Sequence, residues 1–341
     1  MWVAALLAAL LSMQPAQAAV FKIATVVPEG SQWMRELRAA ATEISDSTKG
    51  RAKIKYYGGG VMGNDKKVLR KIRNGQLQGG AFAASGLASK YPNLALYGLP
   101  MMFESEAEVD YVRERLDPLL IEGLEKSGLI SFGFAGGGFA VPMGSRPING
   151  PDDMVGVKVW VPDGDRISYA AMEAMGLAPV VLPISDVLTG LQTGLLDMVA
   201  TPPVAALLLQ WYTKVEYVTE LPIAYTFGTL AVDKRAFARL SADDQAVFRE
   251  VMTRTYQKLD EINRADNATA KQVLRDDGLK FVVPRQKGLQ EWRAEIRATN
   301  LKYWKQEGLS EDLLQRLLGT VEEYRANVAT TDKSTAAAPV N

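Results

Sequence analysis

The sequence predicts an α/β protein of two domains. Three observations lead there. The chain has 341 residues, room for two domains of ordinary size. Its apolar pattern alternates between strand and helix in two separate series. A stretch rich in Gly and Pro, GFAGGGFAVPMGSRPINGPDDMVG at 133–156, divides those series and reads as a crossover between domains. Hydrophobic residues at 48% and charged residues at 23% are values of a globular chain.

The first residues, MWVAALLAALLSMQPAQAA, hold an apolar run from Trp2 to Leu11, then Pro15 and Ala16-Gln17-Ala18. That is the pattern of an export signal cut after about Ala18. The run is shorter than the ~20 residues that span a bilayer. The mature protein is therefore expected to be soluble and exported.

Strand 21–26 opens the first series. Ser31 caps a helix to about Ser47, with Trp33, Leu37, Ala41 and Ile44 on one face. Strand 53–57, the loop Gly58–Gly63, a helix over 64–74 and a strand over 80–84 follow. This alternation predicts a largely parallel sheet. A helix over 106–127 and a strand over 129–135 complete the first half. The second series places strands at 157–161, 179–182, 196–200, 215–219 and 228–232, with helices at 165–175, 185–193 and 203–211 between them. Ser241 and Asp244 form a Ser-x-x-Asp cap for a helix reaching to about Leu274, long enough to lie across both domains. Strand 279–283 and helices over 289–305 and 311–328 precede a polar tail, 329–341, expected to be disordered.

Composition excludes several chemistries. The chain contains no His and no Cys, so it has no disulfide, thiol nucleophile, Cys/His zinc site, imidazole base or Ser-His-Asp triad. Balanced charge, 39 basic against 39 acidic residues, argues against nucleic acid as a partner. The Gly-rich segments lack the Lys-Ser/Thr or Gly-x-Gly-x-x-Gly context of a phosphate loop. Asp163 and Asp165 are the best-spaced carboxylates, and an enzyme reading would make them a hydrolase pair. The plainer reading has Asp165 capping the next helix and Asp163 in the turn. No metal or cofactor is called for. Trp160 ends a Val-rich strand, and strand ends in α/β sheets face ligand crevices.

FKIATVVPEGSQWMRELRAA, YYGGGVMG, LALYGLPMMF, RPINGPDDMVGVKVWVP, LPISDVLTGLQTGLLDMVATPP and LQWYTKVEYVTELP together resemble the DctP family. These are the solute-binding proteins of tripartite ATP-independent periplasmic (TRAP) transporters. The resemblance runs from about Phe21 to Val328. It implies a two-domain periplasmic binding protein clamshell with a long helix bridging both domains. Residues 19–137 plus 227–266 would form domain I, and 138–226 plus 267–328 domain II. A small organic ligand would bind between them and pass to the small and large subunits of a membrane permease. The receptor would be monomeric and not an enzyme.

One departure sets the ligand expectation. Where the family pattern carries an Arg that forks onto a ligand carboxylate, this chain has Trp160. A second family Arg falls near Ala140, and an Asn corresponds to Thr201. The resemblance therefore implies an apolar, aromatic or lipid-like ligand, walled by Trp33, Phe82, Phe139, Met143, Trp160, Trp211 and Tyr225. Ser85, Thr201, Gln210 and Asp163 or Asp165 would supply polar contacts. The alternative keeps an organic acid, held by another base such as Arg166 or Arg146.

Overall fold

The computed structural model describes residues 18–285 and 289–336. The expected export segment lies outside the described residues, Ala18 excepted, as does the end of the expected tail. The first series forms β1 (Ala19–Thr25), α1 (Gln32–Ser47), β2 (Ala52–Tyr57), α2 (Asp65–Arg73), β3 (Gly79–Ala83), α3 (Glu106–Lys126), β4 (Leu129–Ser131) and β5 (Ala135–Gly144). The second forms β6 (Lys158–Pro162), α4 (Arg166–Ala174), β7 (Ala178–Leu182), α5 (Val187–Gln192), β8 (Met198–Thr201), α6 (Pro203–Leu208), β9 (Tyr217–Thr219) and β10 (Ala224–Asp233). Then come α7 (Lys234–Phe237), α8 (Ala242–Asp276), β11 (Lys280–Val282), α9 (Leu289–Gln306) and α10 (Glu311–Ala336).

Side-chain caps set several helix starts. Ser31 Oγ accepts the Met34 N–H at 3.2 Å, Asn64 Oδ1 that of Lys67 at 3.1 Å and Ser241 Oγ that of Asp244 at 3.1 Å. Each satisfies an otherwise orphaned amide and contributes about 1 kcal/mol. α10 runs to Ala336, so residues 329–336 are helical where the sequence suggested a disordered tail.

The strands join in the order β2-β1-β3-β10-β5-β8-β6-β7, with β4 on β10 and the β9–β11 pair on β5. β1 runs parallel to β2 and β3, and β6 runs parallel to β7 and β8. The sheet is nonetheless mixed, because β10 is antiparallel to β3 and β5, and β5 is antiparallel to β8. The physical reason is that β5 and β10, 10 residues each, run past one another at the junction of the two halves. β5 occupies much of the segment that its Gly content marked as a crossover loop.

Those glycines have a packing reason. The Asn263 and Asn267 amides of α8 donate to the carbonyls of Gly136 and Gly137, both at 2.7 Å. A Cβ on Gly136 would overlap the Tyr225 hydroxyl and lie 2.9 Å from Asp260 Oδ1. At Gly138, where φ is +91°, a Cβ would meet Asn267 Nδ2 at 2.5 Å. Strand and helix can approach this closely only without side chains.

α8 spans 35 residues, about 52 Å at 1.5 Å per residue. Its first half buries Phe248, Val251, Met252 and Tyr256 against β1 and α1. Its far end buries Leu274 with Trp160 and Trp211 in the core of the other half. The long helix thus bridges both domains.

Gly136→Ala should lower stability by about 1–3 kcal/mol through this overlap. Urea unfolding would show it as a lower midpoint at unchanged slope. A midpoint equal to wild type would mean that strand and helix separate without cost.

Candidate ligand-binding cleft

The carboxyl ends of four strands converge on one cavity of about 410 Å³. β1 and β3 deliver Thr25 and Ala83 from one half, and β6 and β8 deliver Pro162 and Thr201 from the other. Parallel strands whose ends meet across a gap make such a crevice, because backbone and loops there have no further strand to cover them. β5 and β10 supply the floor with Gly137, Ala140, Tyr225 and Phe227.

Eight of the residues singled out from sequence line this cavity: Trp33, Phe82, Ser85, Trp160, Asp165, Thr201, Trp211 and Tyr225. Trp160 is 5% exposed, and its ring meets Trp211 edge-on at 5.1 Å. Its indole N–H donates to the Leu182 carbonyl at 2.9 Å, which fixes the ring and takes up its one donor. Trp33 is held likewise, donating to Asn263 Oδ1 at 2.7 Å. Both indoles therefore offer the cavity ring surface.

Phe139, Asp163 and Gln210 are not among the lining residues. The Phe139 ring packs edge-on against Tyr225, its partner across β5 and β10, at 5.6 Å, and the next residue, Ala140, lines the cavity. Asp163 pairs with Lys66 of the opposite half at 2.9 Å. Gln210 sits exposed in a left-handed turn at φ +59° before Trp211. Met143 is fully buried in the core.

Neither candidate base lines the cavity. Arg166 is 77% exposed and pairs with Glu307 at 2.9 Å, and Arg146 donates to the Val155 carbonyl at 3.2 Å. Arg113 is closer, behind Tyr225. It is committed to Asp260 at 2.8 Å, Asp117 at 3.3 Å and the Phe134 carbonyl at 2.8 Å. That buried cluster ties α3 and α8 to the chain entering β5, and Arg113 also donates to the Tyr225 hydroxyl at 3.4 Å. Among the described residues no Lys or Arg lines the cavity, whereas Asp65, Asp165 and Asp266 do.

Two of these carboxyls are held above their ordinary range. Burial, then the nearby Asp163 carboxylate, pushes Asp65 up to about 6. Burial raises Asp165, partly offset by hydrogen bonds from Ser168, whose N–H lies 3.0 Å from Asp165 Oδ1. Asp165 is the helix cap that its sequence position suggested. Asp65, Met172, Met198 and Asn263 had not been picked out from sequence. Asp65 had a signal: it follows a capping Asn at the first turn of a helix that opens after a Gly-rich loop.

The halves also touch at the cavity rim. Gly164, at φ +97°, lies against the 84–87 turn, and a Cβ there would stand 2.8 Å from the Ser85 carbonyl. With the Lys66–Asp163 pair, this contact brings the rims together.

The model of the family described as DctP, bacterial extracellular solute-binding protein, family 7, matches residues 23–307. The C4-dicarboxylate-binding periplasmic protein DctP of Rhodobacter capsulatus is 25% identical over 236 residues, covering 68% of this chain and 70% of its own. Among solved structures, the sugar acid binding protein of Advenella mimigardefordensis in complex with galactonate superposes with a TM-score of 0.82 at 20% identity, covering 90% of this chain and 98% of that one. A TRAP periplasmic solute binding protein from Xanthobacter autotrophicus, with bound β-D-galacturonate, gives 0.80 at 18% identity, covering 89% and 99%.

The Asp65 carboxyl should leave a pH signature. A carboxyl raised from 3.8 to about 6 in the folded chain favours the fold only while protonated. That contribution is whole below about 3.8 and is lost as pH rises past about 6. Asp65→Asn should therefore melt roughly 2–4 °C above wild type at pH 8, with the gap closing near pH 4. Melting curves across that range check this; a constant gap would contradict it.

Proposed function

Given that this chain belongs to the DctP family of bacterial extracellular solute-binding proteins, we propose that it is a TRAP-type solute receptor whose ligand is not held by a guanidinium–carboxylate clamp. The ligand is a compact, largely apolar or aromatic molecule enclosed between the two halves. The receptor is periplasmic, works with membrane permease components and is not an enzyme. Among the described residues no helix is long and apolar enough to cross a membrane.

The observation carrying this reading is the cavity lining, which has no Lys or Arg among the described residues. An ionised carboxylate taken from water into such a space would lose its hydration without gaining a cation. The indole faces of Trp160 and Trp211 instead suit apolar surface, whose burial yields about 25 cal/mol per Å². Closure requires that ligand favour the joined state over the open one. Residues from both rims line the cavity, so one bound molecule can touch both halves.

An organic acid is the second reading, because the relatives above are named for or bound to carboxylic acids. It would require Arg166 to leave Glu307 and swing inward, or backbone N–H groups to act alone.

Thermal melting with matched probes separates the two. Benzyl alcohol and cyclohexanol at millimolar concentration should raise Tm, since a ligand at about 100 times its Kd stabilises by about 2.7 kcal/mol. Succinate and D-galacturonate at equal concentration should not. The reverse order would overturn the proposal.

A further inference from the structure

Resting on that receptor reading, we propose that the ligand carries an ammonium head that seats against Asp65, with its apolar body filling the rest of the cavity. Three observations lead to this head group. The first is the charge census: the lining carries three carboxyls and, among the described residues, no Lys or Arg. A second anion brought into this space would meet like charge at short range, whereas a cation would meet an unmatched partner.

The second is the company Asp65 keeps. Among the described residues it has no ion pair, although Lys66 is its neighbour in sequence. Lys66 turns to the other half and pairs with Asp163 at 2.9 Å. The nearest basic side chain in sequence is thus spent on joining the rims, and Asp65 is left facing the cavity.

The third is the seat itself. The Asp65 carboxyl rests against Gly86, so closely that any Cβ at residue 86 would overlap it. Gly86 belongs to the turn Ala84–Leu87, whose Ala84 and Ser85 line the same cavity. The carboxyl is therefore housed at a defined place against the Ala84–Leu87 turn. Its position in the first turn of α2 lends it partial support from the helix N-terminus.

Keeping a carboxyl here without a cation costs stability. A ligand ammonium removes that cost on binding through a charge-assisted hydrogen bond. A neutral ligand would leave the carboxyl unmatched inside a closed cleft. The ring faces of the wall add further attraction for a cation.

The test uses three probes of one shape: 2-phenylethylamine, 2-phenylethanol and 3-phenylpropanoate, titrated calorimetrically into wild type and Asp65→Asn at pH 7.5. The amine should bind at least about tenfold tighter than the alcohol, and the carboxylate should bind weakest. In Asp65→Asn, checked for folding by its melting curve, the amine's advantage over the alcohol should fall to less than about threefold.

Equal binding of amine and alcohol to wild type would overturn the ammonium head and leave the apolar-ligand reading standing. An amine preference that survives Asp65→Asn would overturn the assignment to Asp65. Tightest binding of the carboxylate, or no binding by any of the three, would overturn both this proposal and the reading beneath it.

Discussion

The constraint on which the rest depends is the desolvation of charge inside a closing cleft. A receptor that shuts over its ligand strips water from every polar atom it encloses, and each such atom must find a partner. In this chain the enclosing surface provides indole rings, methionines and carboxyls, with no lining Lys or Arg among the described residues. Three cations of the neighbourhood are engaged elsewhere: Arg113 by Asp260 and Asp117, Arg166 by Glu307, Lys66 by Asp163. The fold fixes this distribution. α3 and α8 hold Arg113 behind the Tyr225 wall, and the loop after β6 directs Asp163 to the opposite rim.

Closure and shape follow from the same backbone. β5 and β10 run through the junction of the halves, and α8 lies across them with Asn263 and Asn267 bonded to glycine carbonyls. Glycine there permits an approach that side chains would forbid. Motion between the halves must therefore bend or twist these shared strands. The Gly164 contact and the Lys66–Asp163 pair are surface interactions that can part and re-form, the latter with modest energy.

Much of the local structure was legible in the sequence, because caps and apolar spacing are local signals. Ser31, Asn64 and Ser241 sit where their side chains meet the amides three residues on. The long helix was readable from Val247 through Ile262. β5 was not, because three successive glycines suggest a loop unless the helix packed on them is known. The mixed sheet was hidden for the same reason: its antiparallel members are the strands shared by both halves. At the site, Trp160 was legible as a strand end and Thr201 from the family segment, and both line the cavity; Phe139 does not line it, and Asp163 turns to Lys66 of the opposite half, a partner that local sequence does not reveal. Asp65 was overlooked because a first-turn acid is ordinarily read as helix-dipole complement. Only its placement beside Gly86 and the cavity gives it another meaning.

We propose that this receptor accepts cargo without a carboxylate clamp. Native mass spectrometry of the protein purified folded from a periplasm in which it has met its ligand tests that most directly. The mass released on unfolding should belong to a molecule that has no carboxylate and is largely apolar. Release of a sugar acid or dicarboxylate as the retained species would contradict the account.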